Sequence, residues 1–198
     1  MLTDLFSIYA AVSQGEERIS AAPVSASFRD FVAAQQAILN SEEARQYWTM
    51  MLSDATQSRL PRLQKNAGPS RVIVHRVDVS RELSLALKEL ARRAGVPLKS
   101  VLLAAHLRVL NVHTGGNDVV TGIVSHGRTE TEDGERVLGL FLNTLPLRRR
   151  LAGGTWLQLV QETFAAEREQ LPFRRYPMAR MQQDIGNDTP LFEITFNF

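Results

Sequence analysis

Apolar side chains recur every three or four residues through most of this chain and switch to alternation in only four short stretches. The first stripe, Leu2, Leu5, Phe6, Tyr9 and Val12, has helical spacing. So little precedes it that an N-cap has hardly any room, and an abrupt start of this kind predicts a chain cut from something longer. Gly15 to Ala26 reads as a loop. Ser27 then caps a helix carrying Phe28, Phe31, Val32, Gln35 and Leu39, with Asp30 placed to reach back to the free amides. Ser41 starts another, with Glu42 and Glu43 at the positive end of its dipole and Ala44, Tyr47, Trp48, Met51 and Leu52 as its buried face. From Ser53 to Ser70 the periodicity dissolves into a long connector with Pro61, Gly68 and Pro69.

Arg71 to Val79 alternates, with Val72 and Val74 on one side and Ile73, Val77 and Val79 on the other, which predicts a strand. Ser80 caps a helix that Gly95 stops near Ala94. Pro97 opens a second, apolar on nearly every face from Val101 to Leu110 and so expected to be buried, ended by Gly115-Gly116. Asp118 to Ser125 predicts a strand, Gly127 to Glu135 a polar loop, and Leu142 to Arg149 a strand whose Pro146 marks an edge or a bulge. Thr155 with Gln158 caps a helix over Trp156 to Leu171, and Pro177 opens a short one that Gly186 closes. Leu191 to Phe198 alternates strictly and predicts a last strand. Helices first, then strands interleaved with helices, give an α/β (α+β) chain: a mixed β-sheet covered by helices on one face.

Bulk properties narrow the classes. A chain of 198 residues, 44% hydrophobic and 22% charged, can bury one good core and suits a soluble globular domain. It has no apolar run of membrane-spanning length and no basic-then-apolar leader, from which a cytoplasmic location is expected. The absence of Cys removes disulfides, thiolate zinc sites and a Cys nucleophile. Basic residues are mostly Arg, densest at Arg148-Arg149-Arg150, but lack the Lys and aromatic interleaving of a nucleic-acid face. A solvated strand end explains them, or a docking patch for an acidic, phosphate-bearing partner.

Residue chemistry alone names no active site. His75, His106, His113 and His126 each stand alone. His106 and His113 lie two helical turns apart, too far to share an ion, so no metal site is expected. Gly115-Gly116 and Gly153-Gly154 are pairs at element ends rather than phosphate loops, and no Ser occupies a nucleophile elbow.

A series of motifs adds to this reading. Leu2 to Tyr9 (L-T-D-L-F-S-I-Y), Ser27 to Gln35 (S-F-R-D-F-V-A-A-Q), Tyr47 to Leu52 (Y-W-T-M-M-L), Thr121 to Arg128 (T-G-I-V-S-H-G-R), Gly139 to Arg148 (G-L-F-L-N-T-L-P-L-R), Arg174 to Gly186 and the closing P-L-F-E-I-T-F-N-F occur in one order. In that order and spacing the chain resembles the C-terminal half of a condensation domain of a nonribosomal peptide synthetase. Two departures stand out: Phe28 and Gln35 occupy the Tyr and Trp positions of that family's Y-x-D-F-A-x-W motif.

The resemblance implies two lobes like chloramphenicol acetyltransferase, set in a V around a tunnel. Two carrier proteins bring thioesters on phosphopantetheine arms, and the acceptor amine attacks the donor thioester to form an amide. The family's catalytic signature, two adjacent His followed three residues later by Asp-Gly, does not occur in this sequence. In register it would fall about ten residues before Met1, so the chain is expected to be the C-terminal lobe (linking helices over 1–53, a sheet-and-helix lobe over 71–198), with the N-terminal lobe absent and no activity alone. Asn143 and Asn197 are expected to line the tunnel, a strand-end Asn bonding main chain being the equal alternative for Asn143. Arg128 and Tyr176 are expected to anchor loops. No catalytic residue and no directly bound cofactor is expected. The implied partners are donor and acceptor carrier proteins, the N-terminal lobe and a neighbouring adenylation domain, without nucleic acid or membrane. A lobe face evolved to be covered predicts self-association. Epimerisation, cyclisation and non-catalytic carrier-docking relatives share the scaffold, although N-T-L-P-L-R and L-F-E-x-x-F-N-F favour ordinary condensation.

Overall fold

The computed structural model describes residues 2–15, 24–56, 58–61, 72–186 and 189–198. The elements follow in chain order as α1 (Leu2–Ser13), α2 (Phe28–Leu39), α3 (Glu42–Leu52), α4 (Arg81–Ala94), α5 (Leu98–Thr114), β1 (Asp118–His126), β2 (Leu142–Arg150), α6 (Trp156–Gln170), α7 (Met178–Asp184) and β3 (Thr195–Phe196). Capping chemistry sets most boundaries. The Asp30 carboxylate accepts from the Ser27 amide at 2.7 Å and its hydroxyl at 2.9 Å. Ser41 and Ser80 hydroxyls each accept from the amide three residues on at 3.2 Å, and Thr155 and Gln158 form a reciprocal box. Gly95 and Gly115 end α4 and α5 in the left-handed region, which a side chain would resist.

The sheet has the order β2-β1-β3, with β1 antiparallel to β2 and parallel to β3. Pairing sets Thr121 beside Leu147, Ile123 beside Leu145 and Val119 beside Arg149. The apolar members of this face share a core with Leu103, Leu107 and Leu110 of α5. His106 of α5 hydrogen-bonds Thr121 on the same face. Helices α5 and α6 pack on each other and on the sheet, as expected for an α5 that is apolar nearly all round. Burial is not complete there: Val109 and Val112 look outward. Helix α3 joins the same core through Ala44, Trp48 and Leu52.

On the other face of β1, Phe192 lies over Gly122. A Cβ added at Gly122 would stand 2.4 Å from the Phe192 ring, so only a hydrogen fits. Pro146 lies opposite Gly122, on a strand at the edge of the sheet, where the sequence placed it.

Two strands differ from expectation. Residues 72–79 form no strand, because no described part of the chain offers them a ladder partner. Of 191–198, only Thr195–Phe196 pair, against Gly122 and Ile123 of β1. The rest of that segment is held by Phe192 and Ile194 packing on the core, and Phe198 is 71% exposed. The 62–70 part of the connector and 16–23 of the first loop lie outside the described residues. Ser58, in the described part of the connector, is buried and accepts from the Val120 amide at 2.8 Å. None of the described helices is long and apolar enough to cross a membrane.

Candidate functional site

Three motifs far apart in sequence meet where β1 ends and β2 begins. The Gly127 amide donates to the Phe141 carbonyl at 2.7 Å, closing the two strands. Arg175 then straps the turn: Nε donates to the Gly127 carbonyl at 2.8 Å and Nη2 to that of Arg128 at 2.9 Å. A planar guanidinium suits this double contact in a way an ammonium does not. Asn143 returns the favour to the Arg175 segment. Its Nδ2 donates to the main-chain oxygens of Arg174 at 3.0 Å and Tyr176 at 2.9 Å.

Aromatic packing locks a fourth motif onto these. Phe28, Phe31 and Phe141 form a cluster with ring centroids 5.0–5.4 Å apart, two of the contacts edge-to-face. Glycines permit it. A Cβ at Gly139 would lie 2.2 Å from Phe28, and one at Gly127 2.8 Å from Phe31. Helix α2 therefore lies directly on the 127–141 segment. The Phe that replaces Tyr at position 28 is a packing residue there.

Arg128 sits with its guanidinium 4.2 Å over the Phe141 ring and donates to the Gly134 carbonyl at 3.1 Å and the Val137 carbonyl at 2.8 Å. The loop between is tied further by Arg174, whose Nη2 meets Glu130 at 2.6 Å. Asp133 stands in the left-handed region at φ 65° and accepts from the Ser25 amide at 3.2 Å. That amide and Arg136 hold the Asp133 carboxyl below its ordinary pKa. Tyr176 is fully buried, and its hydroxyl donates to Asp184. Burial, then that hydrogen bond, push the Tyr176 phenol up.

The sequence-named residues thus fall in different places. Asn143, Arg128 and Tyr176 come together, and all three hold main chain or buried packing. Asn197 lies apart, exposed on the last segment. Arg175, the residue that joins two of the motifs, was readable only as a member of the Arg174 to Gly186 motif; its target carbonyls carry no sequence signal.

The histidines do not gather. His75, His113 and His126 are exposed. His126 borders an open groove of about 460 Å³ with Arg128, Glu130 and Asp133. His106 is half-buried, and Thr121 decides its tautomer. The Thr121 hydroxyl donates to the Ile194 carbonyl at 3.0 Å, so it accepts from Nε2–H of His106 at 2.9 Å. Burial lowers the His106 pKa, keeping the ring neutral. No cluster of metal-binding side chains occurs among the described residues.

A smaller cavity of about 120 Å³ opens beside Ser125, between the start of α5 and α6. Inside it the Glu167 carboxylate accepts from Ser100 at 2.5 Å and meets Lys99 at 2.5 Å. Substrate pockets run to about 300 Å³ and more, so this space fits at most a small group. The arginine cluster is neutralised within the molecule. Arg148, 7% exposed, meets Asp118 and Asp54 at 2.5 Å each and the Met51 carbonyl at 2.8 Å. Arg149 pairs with Glu162 and Arg150 with Asp54. Arg150 and Asp54 stay 67% and 64% exposed, so the strand end is solvated as well as ion-paired.

These motifs match known proteins in the same order. The family described as Condensation domain matches residues 1–198. The AMB antimetabolite synthetase AmbE of Pseudomonas aeruginosa is 38% identical over 198 residues, all of this chain but 9% of that synthetase. The chain thus spans less than a tenth of that relative. Two solved structures share the fold: the first condensation domain of the calcium-dependent antibiotic synthetase, in complex with substrate analogue 3a (TM-score 0.73, 22% identity, 96% of this chain and 42% of that one), and the X-domain from teicoplanin biosynthesis (TM-score 0.74, 24% identity, 98% and 47%). With its motifs knit into one framework, its fold that of chloramphenicol acetyltransferase-like condensation domains and its whole length matched, the chain belongs to the condensation-domain family of the nonribosomal peptide synthetases.

Proposed function

We propose that this chain acts as the C-terminal lobe of a condensation domain, supplying one wall of an amide-forming tunnel and not its proton acceptor. The observation that carries this is a framework without a base. Asn143, Arg175, Arg128 and Tyr176 hold the motif loops in place, and no two histidines adjoin anywhere in the sequence. The chain also aligns with 42–47% of two solved chains of this fold, which suits one of two lobes.

In the reaction proposed, the acceptor amine attacks the donor thioester carbonyl. A C–N bond forms, the C–S bond breaks, and the amine proton leaves as the carrier thiol is released. The imidazole that handles that proton belongs to the N-terminal lobe. Asn143 commits its Nδ2 to main chain and keeps Oδ1 for a neighbour, so its role is to fix the 174–176 turn, with any tunnel contact made through that oxygen. Asn197 is free to meet the opposite lobe or a substrate arm. Phosphopantetheine arrives on donor and acceptor carrier proteins, with an adenylation domain as neighbour; the lobe itself binds no cofactor.

The test is incubation of the purified chain with two aminoacyl-loaded carrier proteins, with product read by mass spectrometry. No dipeptidyl product is expected from the chain alone, and product is expected once an N-terminal condensation lobe is added. Turnover by the chain alone would overturn the reading. A second reading, a non-catalytic carrier-docking module on the same scaffold, is favoured by the structural use of every motif residue in the cluster. Carrier binding that persists with no product after the lobe is added would support it.

A further inference from the structure

The small cavity beside Ser125 is lined by two residues that each bury an oxygen accepting no hydrogen bond. Gln170, the last residue of α6, is 1% exposed. Its Nε2 donates to the Pro146 carbonyl at 3.3 Å, and among the described residues its Oε1 has no donor. Glu167, one turn earlier on the same face of α6, is 7% exposed. Its Oε2 accepts from the Ser100 hydroxyl, but its Oε1 accepts nothing. The Lys99 ammonium lies 2.5 Å from that oxygen, at an angle that makes an ion pair and no hydrogen bond. Leaving a buried acceptor without a donor is costly, and folded proteins rarely do so. Charge narrows what could donate. Lys99, Arg168 and Arg174 line the same space and oppose a further cation, while Glu167 opposes an anion beside the two oxygens. The rest of the wall is largely apolar, with Ile123, Val124 and Leu145.

We propose that this cavity binds a small uncharged molecule with an NH2 group beside a carbonyl, that is, a primary carboxamide. Its two N–H bonds serve Oε1 of Glu167 and Oε1 of Gln170. Its carbonyl accepts from Arg168, whose guanidinium has only the Phe164 ring for company among the described residues, 5.8 Å from the centroid. Size agrees. At water's share of about 30 Å³, the 120 Å³ available holds about four water-sized groups, the number of non-hydrogen atoms in acetamide. The site is independent of the lobe reading. Because the cavity reaches Ser125, a bound amide touches the end of β1, next to the turn that Arg175 straps.

Acetamide, acetone and acetate share one heavy-atom shape, and only acetamide is a neutral donor of two hydrogens. Each is titrated into the 15N-labelled chain, with backbone amide shifts read by NMR. Acetamide should give saturable shifts at Ser100, Ser125 and Gln170, with a Kd on the order of 10 mM. Acetone and acetate should bind at least about 10-fold more weakly, which is about 1.4 kcal/mol, the size of one buried hydrogen bond. Gln170→Met keeps the length and removes the acceptor, and should bring acetamide down to the level of acetone. Equal binding of acetamide and acetone would overturn the proposal by making the cavity a plain apolar hole. Shifts at these amides that do not saturate by roughly 100 mM acetamide would also overturn it, leaving water as the occupant. Should Gln170→Met fail to fold, the three compounds on the parent chain decide the matter.

Discussion

Asn143 and Tyr176 are 33 positions apart, yet the Asn143 side-chain amide donates to the Tyr176 main-chain oxygen at 2.9 Å. The same nitrogen serves Arg174, so one side chain satisfies two carbonyls that nothing else in its motif reaches. Asn143→Ala should cost about 1–3 kcal/mol, the penalty for stranding partly buried acceptors. Asn143→Asp should be no better, since a carboxylate cannot donate. Chemical denaturation measures both. A fully stable Asn143→Ala that loses only activity would make this residue a substrate contact instead.

Arg148 is the other heavily committed polar group. Its guanidinium reaches Asp118, Asp54 and a helix-end carbonyl at once. Arg148→Met should destabilise by about 3 kcal/mol, the lower end for removing one partner of a buried pair, because Asp54 is exposed. Arg148→Lys should recover less than half, having one point charge where a fork is needed. Thermal melts read the difference.

Gly122 tests the packing of the last segment. Gly122→Ala should cost about 1–3 kcal/mol through overlap with the Phe192 ring. Combined with Phe192→Ala, the second change should cost less than it does alone, a coupling that a double-mutant cycle detects.

His106 gives a signed pH effect. Burial holds its folded pKa below the unfolded value of about 6.5. The unfolded chain therefore binds the extra proton first, and this contribution to stability is whole above about pH 6.5 and declines as pH falls toward the folded pKa. Urea midpoints between pH 7.5 and 5.5 should fall, and His106→Gln, which still offers Thr121 a donor, should flatten that slope.

Helix α1 exposes Leu5, Phe6, Tyr9 and Val12 along one stripe. Contiguous apolar surface of this kind drives association. Sedimentation velocity on residues 1–198 should show dimers or larger species rising with concentration, and Phe6→Glu with Tyr9→Glu should reduce them. A strictly monomeric profile for the parent chain would refute this.

Local chemistry made most of the fold legible. Ser27 with Asp30, Ser80, Gly95 and Thr155 with Gln158 mark helix ends by hydrogen bonds between near neighbours, and the structure keeps them. Pro146 announced its edge for the same reason. Strand pairing was not legible, because alternation reports sidedness and says nothing of whether a partner exists. Residues 72–79 and 191–193 alternate as well as β1 does, yet lack ladders. The site shows the same division. Arg128 donates to carbonyls six and nine positions on, within reach of its own loop, whereas the grip of Arg175 on Gly127 and Arg128 joins main-chain atoms 47 or 48 positions away, which side-chain spacing cannot encode.

Pro146 governs how this sheet can be enlarged. The Gly122 amide points to Ile194, on the β3 side, so the Gly122–Pro146 pair exchanges no hydrogen bonds and the donor that Pro146 lacks would have faced outward. Its outward carbonyl is already taken by Gln170 at 3.3 Å. The outer margin of β2 is thus closed at its centre for both donor and acceptor. Backbone recruited along that margin would find neither donor nor acceptor at Pro146, which interrupts any template for aggregation there.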